Sequence, residues 1–170
     1  LTVGDFNIPF LSYLEEEDIG KAFEIFNSFR ILCAHRAGVC GTDAVNRHIT
    51  DIIKKMKIVP FKHNASYDKN RLVYNKGLPV LIKSNYSALN LFNGDIGLCW
   101  PSLDDLERIL VFFPDVNKPG KYRSLSPTQL PEHETTFAMT VHKSQGSGFE
   151  NVLLLLSDKD DSPVLTRELV

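Results

Sequence analysis

The residues best suited to chemistry in this chain lie close together. Between Thr135 and Phe149 the sequence reads TTFAMTVHKSQGSGF. Thr140, His142, Lys143, Gln145 and Ser147 offer hydroxyl, imidazole, ammonium and amide groups, while Gly146 and Gly148 bare the backbone. Short polar side chains beside open amides are what contacts to phosphate and sugar use. A glycine also lets the backbone come close to a phosphate. The plain alternative is a helix stopped by Gly146 with its polar residues in water, and a HKSQG run taken alone fits that better. Its setting favours binding. It joins a helix expected over residues 137–145 to a buried strand expected over 151–156, and α/β proteins place ligands at such sheet edges.

Other residues need the same weighing. Arg36, in HRAG, follows the short apolar run FRILCA of residues 29–34. A guanidinium after a buried strand can reach a phosphate bidentately. A structural ion pair is the rival, and the sequence leaves both open. The stretch KHNASYDKNRLVYNK, residues 62–76, interleaves Lys62, His63, Lys69, Arg71 and Lys76 with Tyr67 and Tyr74. Such a mixture can track single-stranded nucleic acid, but a solvated linker is the preferred reading. Trp100, Phe112 and Phe113 sit among other apolar residues and are expected in a core. His133 and Glu134 are only two ligands, so no metal is expected.

The elements that must position these residues fall into three zones. Residues 14–26 carry apolar side chains at helical spacing, with acids in the first turn. The run at 29–34 reads as a strand and HRAGVCG as a loop. Thr42 is placed to cap a helix from Asp43 to Met56, with Ala44, Val45, Ile49, Ile52 and Ile53 inward. Strand, glycine loop and helix is the grammar of a parallel sheet. From residue 60 to about 130 the pattern changes to short β-rich runs, LPVLIKSN, GDIGLCW, RILVFF and KYRSLS, divided by turns such as Asn93-Gly94-Asp95. Spacing of this kind suggests a small antiparallel barrel or meander. From about Glu132 the α/β pattern returns. The simplest topology is one α/β domain interrupted by a β insert.

Composition sets outer bounds. The 170 residues are 43% hydrophobic and 24% charged with a net charge of −2, so any polyanion site must be a local patch. The longest apolar run, Val152 to Leu156, is too short to span a bilayer, and the N-terminus has no secretory pattern. Three scattered cysteines without a CxxC pair suit a reducing, cytoplasmic setting. An opening on Leu1 and a stop at TRELV lead us to expect a piece of a longer chain.

TVHKSQG resembles motif V of superfamily 1 helicases. The longer LPEHETTFAMTVHKSQGSGF is similar to the RecD branch of that superfamily. ALNLFNGDIG (88–97), RILCAHRAGVCGTDAVN (30–46) and SPVLTRELV (162–170) resemble its barrel segment, its motif IV region and its approach to motif VI, in the family's order. The resemblance implies a RecA-like second motor domain, residues 1–60 and 131–170, with a linker and SH3-like β insert at 61–130. It implies an ATP-dependent 5′–3′ DNA helicase within a RecBCD-type complex, acting with RecB- and RecC-like subunits and using ATP and Mg²⁺ in the whole protein. Thr140, His142, Lys143 and Gln145 would meet single-stranded DNA; Arg36, Gly146 and Ser147 would face the nucleotide. The chain departs from the family at Gly148, where an acidic residue is usual, which leaves the ribose contact open or to Glu150. No GxxxxGK[ST] loop occurs, so this chain alone should not turn over ATP. The alternative function is a non-catalytic module that docks DNA or a subunit.

Overall fold

The computed structural model describes residues 9–56, 74–145 and 148–156. A 3-10 helix, Pro9–Glu15, leads into α1, Ile19–Ser28. The acidic run ahead of α1 does not itself join the helix, contrary to the expectation of one helix over 14–26. Asp18 caps it instead, its carboxylate accepting from the Lys21 N–H at 2.9 Å. Helical spacing then buries Ala22, Phe23 and Phe26 on one face.

Strand β1, Phe29–Cys33, follows without a break, and α2, Thr42–Met56, returns over the sheet with Ile49 and Ile53 buried. The helix starts at Thr42, one residue before the expected position. Strands β2 (Pro79–Ile82), β3 (Ile96–Pro101), β4 (Ile109–Pro114) and β5 (Tyr122–Leu125) come next, then β6 (His133–Thr135) and β7 (Ala138–Thr140). A single helical turn, α3 (Val141–Ser144), and β8 (Asn151–Leu155) complete the described order.

Two sheets result. One is parallel and three-stranded, in the order β7-β1-β8, with Ile31 opposite Ala138 and Leu153. The expectation that residues 29–34 and 151–156 share a parallel sheet is met. The other is antiparallel and five-stranded, β5-β4-β3-β2-β6. Its first four strands come from the stretch where a β insert was expected. β6 joins it from further along, pairing Leu81 with Glu134. The described pairings leave β5 and β6 as its two edges.

Two local expectations fail. Residues 137–145 are not one helix: Ala138–Thr140 is strand, and only Val141–Ser144 is helical. Phe137, Ala138 and Met139 are buried against β1, and that burial outweighs any local preference for helix. β8 is not a fully buried strand either. Val152 and Leu153 stay 47% and 37% exposed, and β8 is an edge strand among the described residues.

One contiguous core runs through both sheets. Tyr13 joins them: its hydroxyl donates to the Gly77 carbonyl at 2.5 Å, and its ring meets Phe26 edge-on at 5.4 Å. Phe23 of α1 stacks on Tyr122 of β5 with ring centroids 4.9 Å apart. Gly77 has φ +82°, and a Cβ there would lie 2.0 Å from Leu14 Cδ2. Gly94 also has positive φ, +102°, but open space around it. Gly77→Ala should therefore cost about 1–2 kcal/mol for the left-handed backbone plus about 1–3 kcal/mol for overpacking. Gly94→Ala should cost the backbone part alone. Urea unfolding midpoints of the two variants check this, with the larger drop expected for Gly77→Ala.

Candidate nucleic-acid interface

The TVHKSQG segment starts as a strand and leaves the sheet at its carboxyl end. Ala138 pairs with β1 on one side. On the other side its backbone is taken by a side chain from α2. Asn46 Nδ2 donates to the Ala138 carbonyl at 3.0 Å, and the Ala138 N–H donates to Asn46 Oδ1 at 2.8 Å. Asn46 thus occupies the place of a neighbouring strand and fixes the height at which β7 ends. Thr140 then turns the chain with extended backbone, φ −74° and ψ 150°. The helical turn that follows buries Ser144, whose hydroxyl donates to the Val141 carbonyl at 2.7 Å, and leaves His142 and Lys143 in solvent. Thr140 is half-buried and Gln145 exposed. Gly146 and Ser147 lie outside the described residues.

Arg36 stands on the loop after β1. The Thr42 N–H donates to the His35 carbonyl and the Asp43 N–H to the Arg36 carbonyl, both at 3.1 Å. A Cβ at Gly41 would fall 2.4 Å from the Arg36 carbonyl oxygen, so only glycine lets the loop close this tightly. Of the two readings left open for Arg36, the ion pair is formed. Nε lies 3.3 Å from Asp43 and Nη2 lies 3.5 Å from Glu134. The side chain nonetheless remains 62% exposed.

Glu134 brings the site together. Its second oxygen accepts from Lys143 Nζ at 2.8 Å. One carboxylate, carried by the antiparallel sheet, therefore holds two cations from the parallel-sheet part of the chain. Sequence reasoning considered Glu134 only as a metal ligand and missed this. Its neighbour His133 is engaged elsewhere. The Pro131 carbonyl can only accept, so His133 Nδ1 carries the proton toward it at 2.5 Å, and Nε2 accepts from the Tyr74 hydroxyl at 2.7 Å. Of the basic and aromatic stretch 62–76, residues 62–73 lie outside the described residues. Lys76 lies 4.5 Å from the Trp100 ring centroid and donates to the Glu16 carbonyl. Burial there lowers its pKa, against the opposing pull of Glu17 and Glu16. Trp100 and Phe113 are buried, as expected of core residues, and Phe112 is half-buried.

His142 and Lys143 also line a cavity of about 700 Å³ where the two sheets face each other. Phe23, Arg30, Phe113 and Phe149 form much of its remaining wall. Exposed cations and an imidazole, standing on a backbone fixed by Asn46, can serve an anionic chain lying along this edge.

Sequence comparison identifies the relatives. No family model matches the chain. It is 34% identical over 145 residues to RecBCD enzyme subunit RecD of Haemophilus influenzae, an alignment covering 85% of this chain and 19% of that protein. It is 32% identical over 152 residues to the RecD subunit of Mycolicibacterium smegmatis, covering 89% of this chain and 24% of that one. Over most of its length the chain is similar to RecD subunits. It spans about a fifth of the length of these RecD relatives. Among solved structures, Pif1 helicase from Bacteroides in complex with ADP-AlF3 and ssDNA matches 88% of this chain and 39% of that one. The TM-score is 0.44 at 17% identity, a likeness too low to decide fold or function.

The shared carboxylate makes a prediction. Glu134→Gln removes the charge that holds Lys143 and Arg36. Exposed pairs of this kind are worth about 0.2–1 kcal/mol, so affinity for a single-stranded oligonucleotide should rise by roughly 1.4- to 5-fold. Fluorescence anisotropy with labelled oligothymidylate measures it. An unchanged or lower affinity in a folded variant would mean that Glu134 does not compete for these cations.

Proposed function

We propose that this chain is part of the second motor domain of an ATP-dependent DNA helicase subunit of RecD type. The observation that carries the reading is the TVHKSQG segment. It ends a parallel strand, is braced by Asn46, and presents His142 and Lys143 to solvent beside Arg36. Similarity to curated relatives supports the same reading, since these are RecD subunits of RecBCD enzymes.

In this reading residues 1–60 and 131–170 form the RecA-like part and 61–130 a linker with an SH3-like insert, β6 lending its backbone to the insert's sheet. Thr140, His142, Lys143 and Gln145 contact the sugar-phosphate chain of single-stranded DNA. Arg36, Gly146 and Ser147 face the nucleotide. Arg36 fits the part of one phosphate donor: it is cationic, exposed and set at the carboxyl end of β1. The sequence holds no GxxxxGK[ST] loop, so the phosphate cradle and Mg²⁺ ligands belong to another domain. ATP supplies the energy for movement, which the family resemblance assigns the 5′–3′ direction. RecB- and RecC-like subunits are the partners, repair of broken DNA the process, and the cytoplasm the place.

A docking role for the antiparallel sheet has its own support. Leu103 and Leu106, in the turn between β3 and β4, are 91% and 77% exposed. Apolar side chains so placed suit a partner subunit, and such docking is compatible with motor function.

Two outcomes test the proposal. The isolated chain should release no phosphate from ATP, with or without single-stranded DNA, because its sequence lacks the GxxxxGK[ST] loop that cradles the phosphates; a malachite-green assay on the purified chain checks this. In the full-length protein, His142→Ala should weaken single-stranded DNA binding about equally across sequences, since phosphate and sugar contacts carry no base information. Loss of one hydrogen bond to a charged phosphate costs on the order of 1.5–3 kcal/mol, or roughly 10- to 150-fold in affinity. DNA-stimulated ATP turnover should fall with it. Wild-type values of both in a folded variant would reduce the segment to an ordinary strand end.

A further inference from the structure

Among the described residues, one buried cation is not fully satisfied by the fold. Arg30 sits in β1, in the apolar run FRILC, and is only 1% exposed. One guanidinium nitrogen, Nη2, donates to Asn27 Oδ1 at 3.2 Å. Nε and Nη1 are buried and have no hydrogen-bond partner among the described residues. Two rings lie over the guanidinium carbon, Phe26 at 4.5 Å and Phe149 at 5.2 Å to the centroids. Ring faces attract the charge but accept no in-plane hydrogen bond, so the edge of the guanidinium remains to be used. Arg30 lines the cavity of about 700 Å³ between the two sheets.

We propose that Arg30 is an anion receptor, and that this cavity takes one nucleotide unit of a single-stranded nucleic acid with a phosphate oxygen on the guanidinium edge. The receptor follows from the geometry of Arg30; the identity of the polyanion rests on the functional reading above. The free Nε–H and the free Nη1 N–H groups lie on different edges of the guanidinium, so each can donate singly to an anionic oxygen, with the shorter, stronger bonds of a charged donor. His142 and Lys143 line the same cavity, so the strand they would meet passes its mouth. Phe149 adds apolar wall beside Arg30, and the core residues Phe23 and Phe113 complete the apolar lining. Asp95 also lines the cavity; its Oδ2 accepts from the Phe92 N–H at 2.9 Å, which draws part of its charge toward its own turn. The cavity volume lies within the range of small-ligand sites, about 300–1,000 Å³.

The charge persists. Burial pulls the Arg30 pKa down to about 10, with Tyr13 acting in the opposite direction. The group is therefore still protonated at neutral pH. A buried charge with unused donors is costly to a fold unless something pairs with it. A protein carboxylate from elsewhere in the full-length chain is the rival partner, and it predicts different behaviour.

The test uses the full-length protein with Arg30→Met, which keeps the volume and removes the charge, alongside Arg30→Lys and His142→Ala. Affinity for labelled oligothymidylate is measured by anisotropy across a series of salt concentrations, and thermal unfolding is followed without DNA. Arg30→Met should bind at least roughly 10-fold more weakly, with its log–log salt slope shallower by about 0.7, the share of one phosphate on a single strand. Its unfolding temperature without DNA should be equal to or above wild type, because an unpaired buried charge is gone. Arg30→Lys should fall between the two in affinity. Unchanged affinity and slope in a folded Arg30→Met would overturn the proposal, and a weakened His142→Ala beside it would leave the functional reading standing. A marked fall in unfolding temperature with an unchanged salt slope would also overturn it, and would assign Arg30 to a protein carboxylate. If the wild-type protein binds no single-stranded DNA, the functional reading fails first and the nucleotide assignment falls with it.

Discussion

The pair of hydrogen bonds between Asn46 and Ala138 is the constraint on which the rest of the site depends. A strand at the edge of a sheet leaves one row of backbone groups unpaired, and a buried unpaired amide costs free energy comparable to a lost hydrogen bond. Asn46 supplies both donor and acceptor from a helix, so β7 can end the sheet without exposing that pair to an apolar surround. Everything downstream inherits its position from this. Thr140 leaves the sheet at the height Asn46 sets, and the turn that carries His142 and Lys143 follows within two residues.

The second organising feature is charge placement. A net charge of −2 gives the chain no general attraction for polyanions. Its cations are instead concentrated by pairing. Glu134 holds Arg36 and Lys143 at one corner, although these arise from different elements and β6 belongs to the other sheet. Exposed pairs contribute little stability, so their value lies in geometry. They keep two long side chains from spreading over the solvent positions open to them. Arg30 follows the opposite logic, fully buried and held between rings, with its charge directed inward.

Much of this was legible in the sequence, and the failures have physical causes. The crossover from β1 to α2 showed in the apolar run, the glycine loop and the helical spacing of Ile49 and Ile53. The antiparallel strands showed in short apolar runs divided by turn residues. The helix expected over 137–145 failed because FAM followed by TVHKSQ satisfies helical spacing locally. What decides for strand is pairing and burial against β1, with Asn46, 92 residues away in sequence, closing the other side, and no local pattern reports those partners. Glu134 was seen beside His133 and weighed as a metal ligand, since adjacency in sequence says nothing of Arg36 and Lys143 across a fold. Arg30 did leave a signal. A single arginine inside FRILC is an ionisable group in a strand otherwise built for burial, and such a residue needs a partner wherever it occurs.

The N-terminal segment and α1 tie the parallel-sheet side of the chain to the antiparallel sheet. Tyr13 reaches the Gly77 carbonyl, Trp100 Nε1 donates to the Glu17 carbonyl at 3.3 Å, and Phe23 stacks on Tyr122. The first two tie the N-terminal segment to the antiparallel sheet at one end, and the third ties α1 to it at β5. Burial raises the Tyr13 pKa well above its ordinary value, with Cys99 adding to the rise and Arg30 opposing it. The hydroxyl therefore stays a neutral donor across the physiological range. These ties hold the sheets together at their margins, while the space between Arg30 and Phe113 remains open as a cavity. Walls tied by such hydrogen bonds and ring contacts give up less freedom to any ligand they receive, because each group that must be ordered on binding adds an entropic cost.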